Sequence, residues 1–337
     1  LIRRDLTLEA TDRLSEVGGR VAEMFEVLDA PSAPEVYATK ALCSRPWRCD
    51  YFDHCMAAKP DDWAGLLYRI HSNRLAALHS QGIESIPDIP EDFQLPEKQA
   101  IALDCIASGE IWVSDDLKDA ILRFGPPAYY MDFETTAPGI PIYVDTRPYE
   151  TVPFQFSVHY MNDDGALSHT AYLAEGDRHP GREFAEELIK AMDRTDIPVV
   201  VYNQSFELGV LDALRQMFPD LADGIGAIME NVVDLLPLVR DHVCHPGFIT
   251  KRSLNAGTYS IKNVLPALVP SMSYANLEGV AEGGEASRVF AAIAHGVYTG
   301  READDYRQQL LDYCEQDTLA MVEIQRALES LCAPTKT

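Results

Sequence analysis

The segment 129-YYMDFETTAPG-139 sets two acids, Asp132 and Glu134, two residues apart inside an aromatic and apolar run. Side chains alternate faces along a β-strand, so residues two apart share a face. Tyr130, Asp132 and Glu134 then point one way, and Tyr129, Met131 and Phe133 the other. Two like charges on one face of a core strand repel unless something between them carries positive charge.

Around this segment the pattern is that of an α/β domain. PFQFSVHYM (153–161) alternates like a second strand and LSHTAYLA like a third. GREFAEELIKAMDR reads as an amphipathic helix. IPVVVYN is a β-branched run without alternation, which suits a buried parallel strand. A helix follows in SFELGVLDALRQMF, with Ser205 as its expected N-cap. VVDLLPLV is a strand or a strand–helix junction, and a long helix is expected from about Ala303 to Leu331. Strands first, then strand–helix alternation, then helices, describe a mixed sheet flanked by helices.

The long helix carries a second acid out of place. In 310-LLDYCEQDTLAMVEI-324 the apolar stripe runs Leu310, Cys314, Met321, Ile324, and Asp317 falls inside it. A carboxylate on the buried side of a helix is costly unless paired or metal-bound. Tyr313 lies one turn before Asp317, whereas Asp304, Asp305 and Asp312 lie off the stripe on a solvated face. In 199-VVVYNQSFELGVL-211, Asn203 ends the buried strand and Glu207 sits in the first turn of the next helix, where the helix dipole already favours an acid. Converging on divalent cations, these acids would form an all-oxygen shell suited to Mg²⁺ or Mn²⁺. Two such ions, about 3.5–4 Å apart, serve in-line phosphoryl transfer.

The three motifs, in that order, resemble those of the DEDD superfamily of ribonuclease H-like 3′–5′ exonucleases. Asp132 and Glu134 match the first motif, Asn203 to Glu207 the second, and Tyr313 with Asp317 the third, which makes it similar to the tyrosine subtype. The resemblance implies a two-ion nuclease. Asp132, Glu134, Glu207 and Asp317 would hold metal, and Tyr313 would orient or deprotonate the attacking water. The second motif normally ends in Asp, and Glu207 stands there instead, one methylene longer. RPYETVPFQFSVHY, YNQSFE, TYSIKNVLPAL and YCEQDT are together similar to an uncharacterised bacterial family known only as a domain of unknown function. In it this module follows a RecB-like nuclease module similar to CRISPR-associated nucleases. The module's end carries cysteines for a [4Fe–4S] cluster.

The resemblance implies three parts: residues 1–60 as the truncated end of a RecB-like module, 61–125 as a helical connector, and 126–333 as the exonuclease domain. Cys43, Cys49 and Cys55 would then be three ligands of an iron–sulfur or zinc site, with His54 as a substitute ligand and Trp47, Tyr51 and Phe52 packed around it. The alternative is three thiols on a turn. In the connector, RLAALHSQGIESI resembles half of a helix-hairpin-helix, or is an ordinary helix–turn element. Weaker candidates are Asn203 and Lys262 as substrate contacts. Gln155 and His159 either face substrate or are satisfied core polar groups, and Asp234 either lines the site or caps a helix.

The remaining features bound the function. The net charge is −25, so a general phosphate-coating surface is excluded, and nucleic acid would need metal ions or a local basic patch. Seven cysteines, scattered apart from the cluster, suggest a reducing, cytoplasmic setting rather than a disulfide scaffold. No apolar run of about 18 residues occurs, so no membrane partner is expected. The opening LIRRDLTLEA lacks an initiator Met, which suggests a piece of a longer protein. The expected partner is DNA or RNA. The rival expectations are a catalytically lapsed nucleic-acid-binding or scaffold module of a larger nuclease, and a phosphohydrolase acting on small nucleotides.

Overall fold

The computed structural model describes residues 4–32, 43, 47, 49–251, 254, 257–272, 280 and 283–333. Its centre is a five-stranded sheet in the order β4-β3-β2-β5-β6. The strands are β2 (Ala128–Thr136), β3 (Val152–Met161), β4 (Leu167–Leu173), β5 (Val199–Val201) and β6 (Val232–Asp234). β2, β3 and β4 form an antiparallel meander. β5 joins β2 in parallel and β6 joins β5 in parallel. The three valines of β5 are fully buried, as expected for a β-branched strand inside a parallel pair.

Three helices cover one face of the sheet: α6 (Gly181–Ala191), α7 (Ser205–Met217) and α8 (Ala222–Glu230). Their Phe184, Leu188, Val210, Leu211, Ile225 and Ile228 pack against Tyr129, Met131, Phe133, Phe156 and Val158. The other face meets the long helix α12 (Gly300–Leu331), flanked by α11 (Gly283–Ala294). The register aligns Glu134 with Gln155, Asp132 with Ser157 and Tyr130 with His159. Beyond Glu134 the pairing slips by one residue, so Phe154 is the extra residue of a bulge. Its ring then stacks on Phe290 of α11, with centroids 4.0 Å apart.

The connector shares the sheet domain's core. Leu78 of α3 (Ser72–Ser80), Ala102 and Cys105 of α4 (Glu97–Ser108) and Phe124 lie in the same buried cluster as Tyr130, Phe248 and Leu328. A two-strand ribbon fastens the parts: β1 (Trp112–Val113) pairs antiparallel with β7 (Val243–Cys244). Of the two readings of RLAALHSQGIESI, the ordinary helix–turn element describes the local structure. After α3 and the left-handed turn at Gly82, the chain makes only a 3₁₀ turn, Ile86–Asp88.

At the N-terminal end, α1 (Thr7–Leu28) buries no residue. Leu14, Val17, Met24 and Leu28 are exposed along it. Residues 33–42 lie outside the described residues. The long C-terminal helix starts at Gly300, three residues earlier than its sequence pattern suggested. Among the described residues no helix is long and apolar enough to cross a membrane.

Candidate functional site

β2 is the central strand, and beyond the carboxyl ends of β5, its parallel neighbour, and of β6, parallel to β5, it runs on through Asp132 and Glu134. In open sheets that edge is where ligands bind. Asp132 and Glu134 point from β2 toward α12, and α12 turns Asp317 toward them. One carboxylate oxygen from each of the three lies within 4.8 Å of the others. Glu134 and Asp317 are buried and Asp132 half-buried. The strand's two-residue period and the helix's apolar stripe therefore deliver acids to one point from elements far apart in sequence.

The surroundings oppose ionisation. Burial, then Asp317, Glu134 and Glu207, push the Asp132 carboxyl well above the usual carboxylate range. Burial and then Asp317 push Glu134 up to about 8, against the opposing pull of Lys262. Tyr313 is buried beside the cluster; burial, then Asp317, Glu134 and Asp132, raise its phenol, so the O–H stays protonated. Lys262, on α10 (Ile261–Leu268), sets its ammonium 5.5 Å from the centre of the Tyr313 ring. A Cβ added at Gly283, where α11 begins, would lie 3.5 Å from a Glu134 oxygen, so this helix end lies against the cluster.

Glu207 stands apart from the close group of three. It is buried in the first turn of α7, and its Oε2 has no hydrogen-bond partner. Burial pushes it up to about 7. Its charge still reaches Asp132. The turn that places it is fixed from a distance. Asn203 takes a left-handed φ of 76°, and its N–H and that of Gln204 donate to the Asp234 carboxylate at 2.9 and 3.1 Å. Asp234 also accepts from the Leu236 N–H at 2.9 Å, capping α9 (Leu235–His242). Of its two expected roles, the cap is the one observed. The expected N-cap of α7 is corrected: Gln204 holds that position, and Ser205 donates its hydroxyl to Asn203 Oδ1 instead. The left-handed turn moves the helix start one residue earlier. Asn203 is exposed at this edge.

Other expected positions sort clearly. Gln155 is a core group, donating from Nε2 to the Leu310 carbonyl at 2.7 Å. His159 is buried, with Nδ1 2.8 Å from Thr318 Oγ1, and burial pushes its ring down to about 4. Cys314 was legible only as part of an apolar stripe. It is buried against the cluster, with Sγ 3.9 Å from Asp132 Oδ2. The described residues form two groups of three or more His, Cys, Asp or Glu ligands within reach of one ion, and Cys43, Cys49, Cys55 and His54 belong to neither. Around them Phe52 is buried, but Trp47 and Tyr51 are exposed, so the expected aromatic packing is corrected: both rings face solvent.

The fold and cluster define an α/β protein with a mixed five-strand sheet flanked by helices and a buried carboxylate group at its carboxyl edge. A family model described as "Domain of unknown function (DUF2779)" matches residues 129–253. That stretch holds Asp132, Glu134, Asn203 and Glu207, while Lys262, Tyr313 and Asp317 lie beyond it. No curated protein and no solved structure matches the chain.

Proposed function

We propose that this protein is a metal-dependent 3′–5′ exonuclease of ribonuclease H-like fold, hydrolysing phosphodiester bonds of DNA or RNA. The observation that carries the reading is the convergence of Asp132, Glu134 and Asp317 within 4.8 Å, from a strand and a helix about 180 residues apart in sequence. The strand order supports it too: an antiparallel meander continued by parallel strands agrees with the mixed sheet the resemblance implies. The donor set fits Mg²⁺ or Mn²⁺, because it is all oxygen and its mutual repulsion is what a divalent cation would relieve.

Asp132, Glu134 and Asp317 would hold the ions, with Glu207 reaching in from α7. Bound ions supply the positive charge that draws in the phosphate and steadies the attacking and leaving oxygens. The protonated Tyr313 hydroxyl orients the attacking water by hydrogen bonding. Lys262 brings a positive charge beside Tyr313 and Glu134, where a phosphate oxygen would lie. Water adds to phosphorus, the bond to the 3′ oxygen of the preceding nucleotide breaks, and a nucleoside 5′-monophosphate leaves. In a chain of net charge −25 the ions also offset the repulsion of the polymer. Asn203, exposed at the edge, would meet the terminal nucleotide.

A second reading, a lapsed nucleic-acid-binding module, is favoured by one observation: Glu207 lies outside the close group of three. A digestion series separates the two. The chain is incubated with 5′-labelled single- and double-stranded DNA and RNA in Mg²⁺ or Mn²⁺, with Asp132→Asn and Asp317→Asn as controls. A ladder shortening from the 3′ end, lost with either substitution and with chelator, is expected. Oligonucleotide binding without cleavage would favour the lapsed module.

A further inference from the structure

The second group of metal-competent side chains lies on the same sheet face but differs in chemistry. One ring nitrogen each from His159 and His169 and a carboxylate oxygen of Glu315 lie within 4.8 Å of one another. His159 on β3 and His169 on β4 are direct cross-strand partners, with ring centroids 4.6 Å apart. Glu315 comes from α12, with Oε2 3.7 Å from His169 Nδ1.

The hydroxyls behind the rings give the group its direction. His169 Nε2 lies 2.9 Å from Ser157 Oγ, and Ser157 Oγ lies 2.7 Å from Thr318 Oγ1. Thr318 Oγ1 lies 2.8 Å from His159 Nδ1 and 3.0 Å from the Glu315 carbonyl. A single proton arrangement satisfies all four contacts. His169 Nε2–H donates to Ser157, and Ser157 donates to Thr318. His159 Nδ1–H also donates to Thr318, which donates to the carbonyl. It leaves His159 Nε2 and His169 Nδ1 as bare lone pairs. Fixing one ring nitrogen so that the other is offered is how proteins prepare a histidine ligand.

We propose that His159, His169 and Glu315 form a site for one divalent transition-metal ion of the zinc class, separate from the carboxylate cluster. Two imidazoles and one carboxylate suit such ions better than Mg²⁺, whereas an all-oxygen cluster suits Mg²⁺ or Mn²⁺. Three protein ligands leave a fourth position to water. The ion ties the β3–β4 hairpin to α12 beside Asp317, and so steadies the helix that carries Asp317 and Tyr313. The proposal does not depend on nuclease activity.

The test is a Co²⁺ titration of the Asp132→Asn protein, which disables the carboxylate cluster, read by visible absorbance and thermal melting. One equivalent should bind, giving d–d bands without the near-ultraviolet charge-transfer band of a thiolate ligand. Zn²⁺ should displace it and raise the melting temperature. Adding Glu315→Gln should remove both the bands and the melting shift, as should His169→Gln. Ser157→Ala should weaken binding by about 10–100-fold. The Glu315 side chain is 46% exposed, so Glu315→Gln folds even if His169→Gln does not. Absence of d–d bands, bands carrying a thiolate signature, or unchanged binding by folded Glu315→Gln would overturn the proposal.

Discussion

The two faces of the central sheet are made by the same strands and do opposite work. Toward α6, α7 and α8, Tyr129, Met131, Phe133, Phe156 and Val158 meet a continuous apolar layer. The Phe184 ring sits edge-on to Phe133 at 5.1 Å and to Phe156 at 5.4 Å. Toward α12, the alternate residues Tyr130, Asp132, Glu134, Gln155, Ser157 and His159 are polar, and several are buried. Burying a full aromatic side chain contributes roughly 1.5–3 kcal/mol, whereas each buried carboxylate costs free energy until paired. The first face is apolar throughout, whereas on the second the acids sit beside core residues such as Phe154, Phe290 and Leu310.

Substitutions on the two faces are therefore expected to differ in what they change. The largest effect is expected from Asp132→Asn and Asp317→Asn. Each should bring hydrolysis down to the chelator control while raising the melting temperature of the metal-free protein, because each removes a buried acid from a cluster that opposes ionisation. Tyr313→Phe should lower turnover by about 10²–10⁴-fold. Calorimetry should show its Mn²⁺ binding retained. On the apolar face, Phe184→Ala should cost about 3–5 kcal/mol in denaturant unfolding. The surviving folded fraction should bind Mn²⁺ as before. Equal loss of metal affinity there would break the comparison.

A smaller effect is the pH dependence of the metal-free protein. Glu134 and Glu207 titrate near 8 and 7 when folded, against an ordinary value of 4.5. The folded state then holds protons that the unfolded chain releases, so stability is greatest below about pH 4.5 for these groups and falls as pH rises toward 8. A drop across that window, erased by Mn²⁺, is expected from melts at fixed ionic strength. The smallest effect is expected from Glu207→Asp, because Glu207 stands outside the close group. It should change the cleavage rate less than any other substitution of a proposed ligand.

How much of this was legible in the sequence follows from the range of each interaction. Asp132 and Glu134 could be read because a strand's period is local, and Asp317 because a helix stripe is local. The first-turn position of Glu207 was readable for the same reason. The cap at Asp234 was readable too, but not its hold on the Asn203 and Gln204 amides, about 30 residues away in the chain. His169 was invisible as a partner of His159, because their pairing depends on hairpin register. Ser205 was misplaced as a cap, because a left-handed Asn203 is a backbone choice that the neighbouring residue types do not announce. Cys314 read as plain core because only the folded strand brings Asp132 against it.

The most direct test of the central claim is anomalous diffraction from crystals of this chain soaked in Mn²⁺. Two anomalous peaks about 3.5–4 Å apart, ligated by Asp132, Glu134 and Asp317, are expected. Both should vanish in Asp132→Asn crystals. Manganese found only on surface acids, with the three carboxylates unchanged and ion-free at saturating Mn²⁺, would contradict the account.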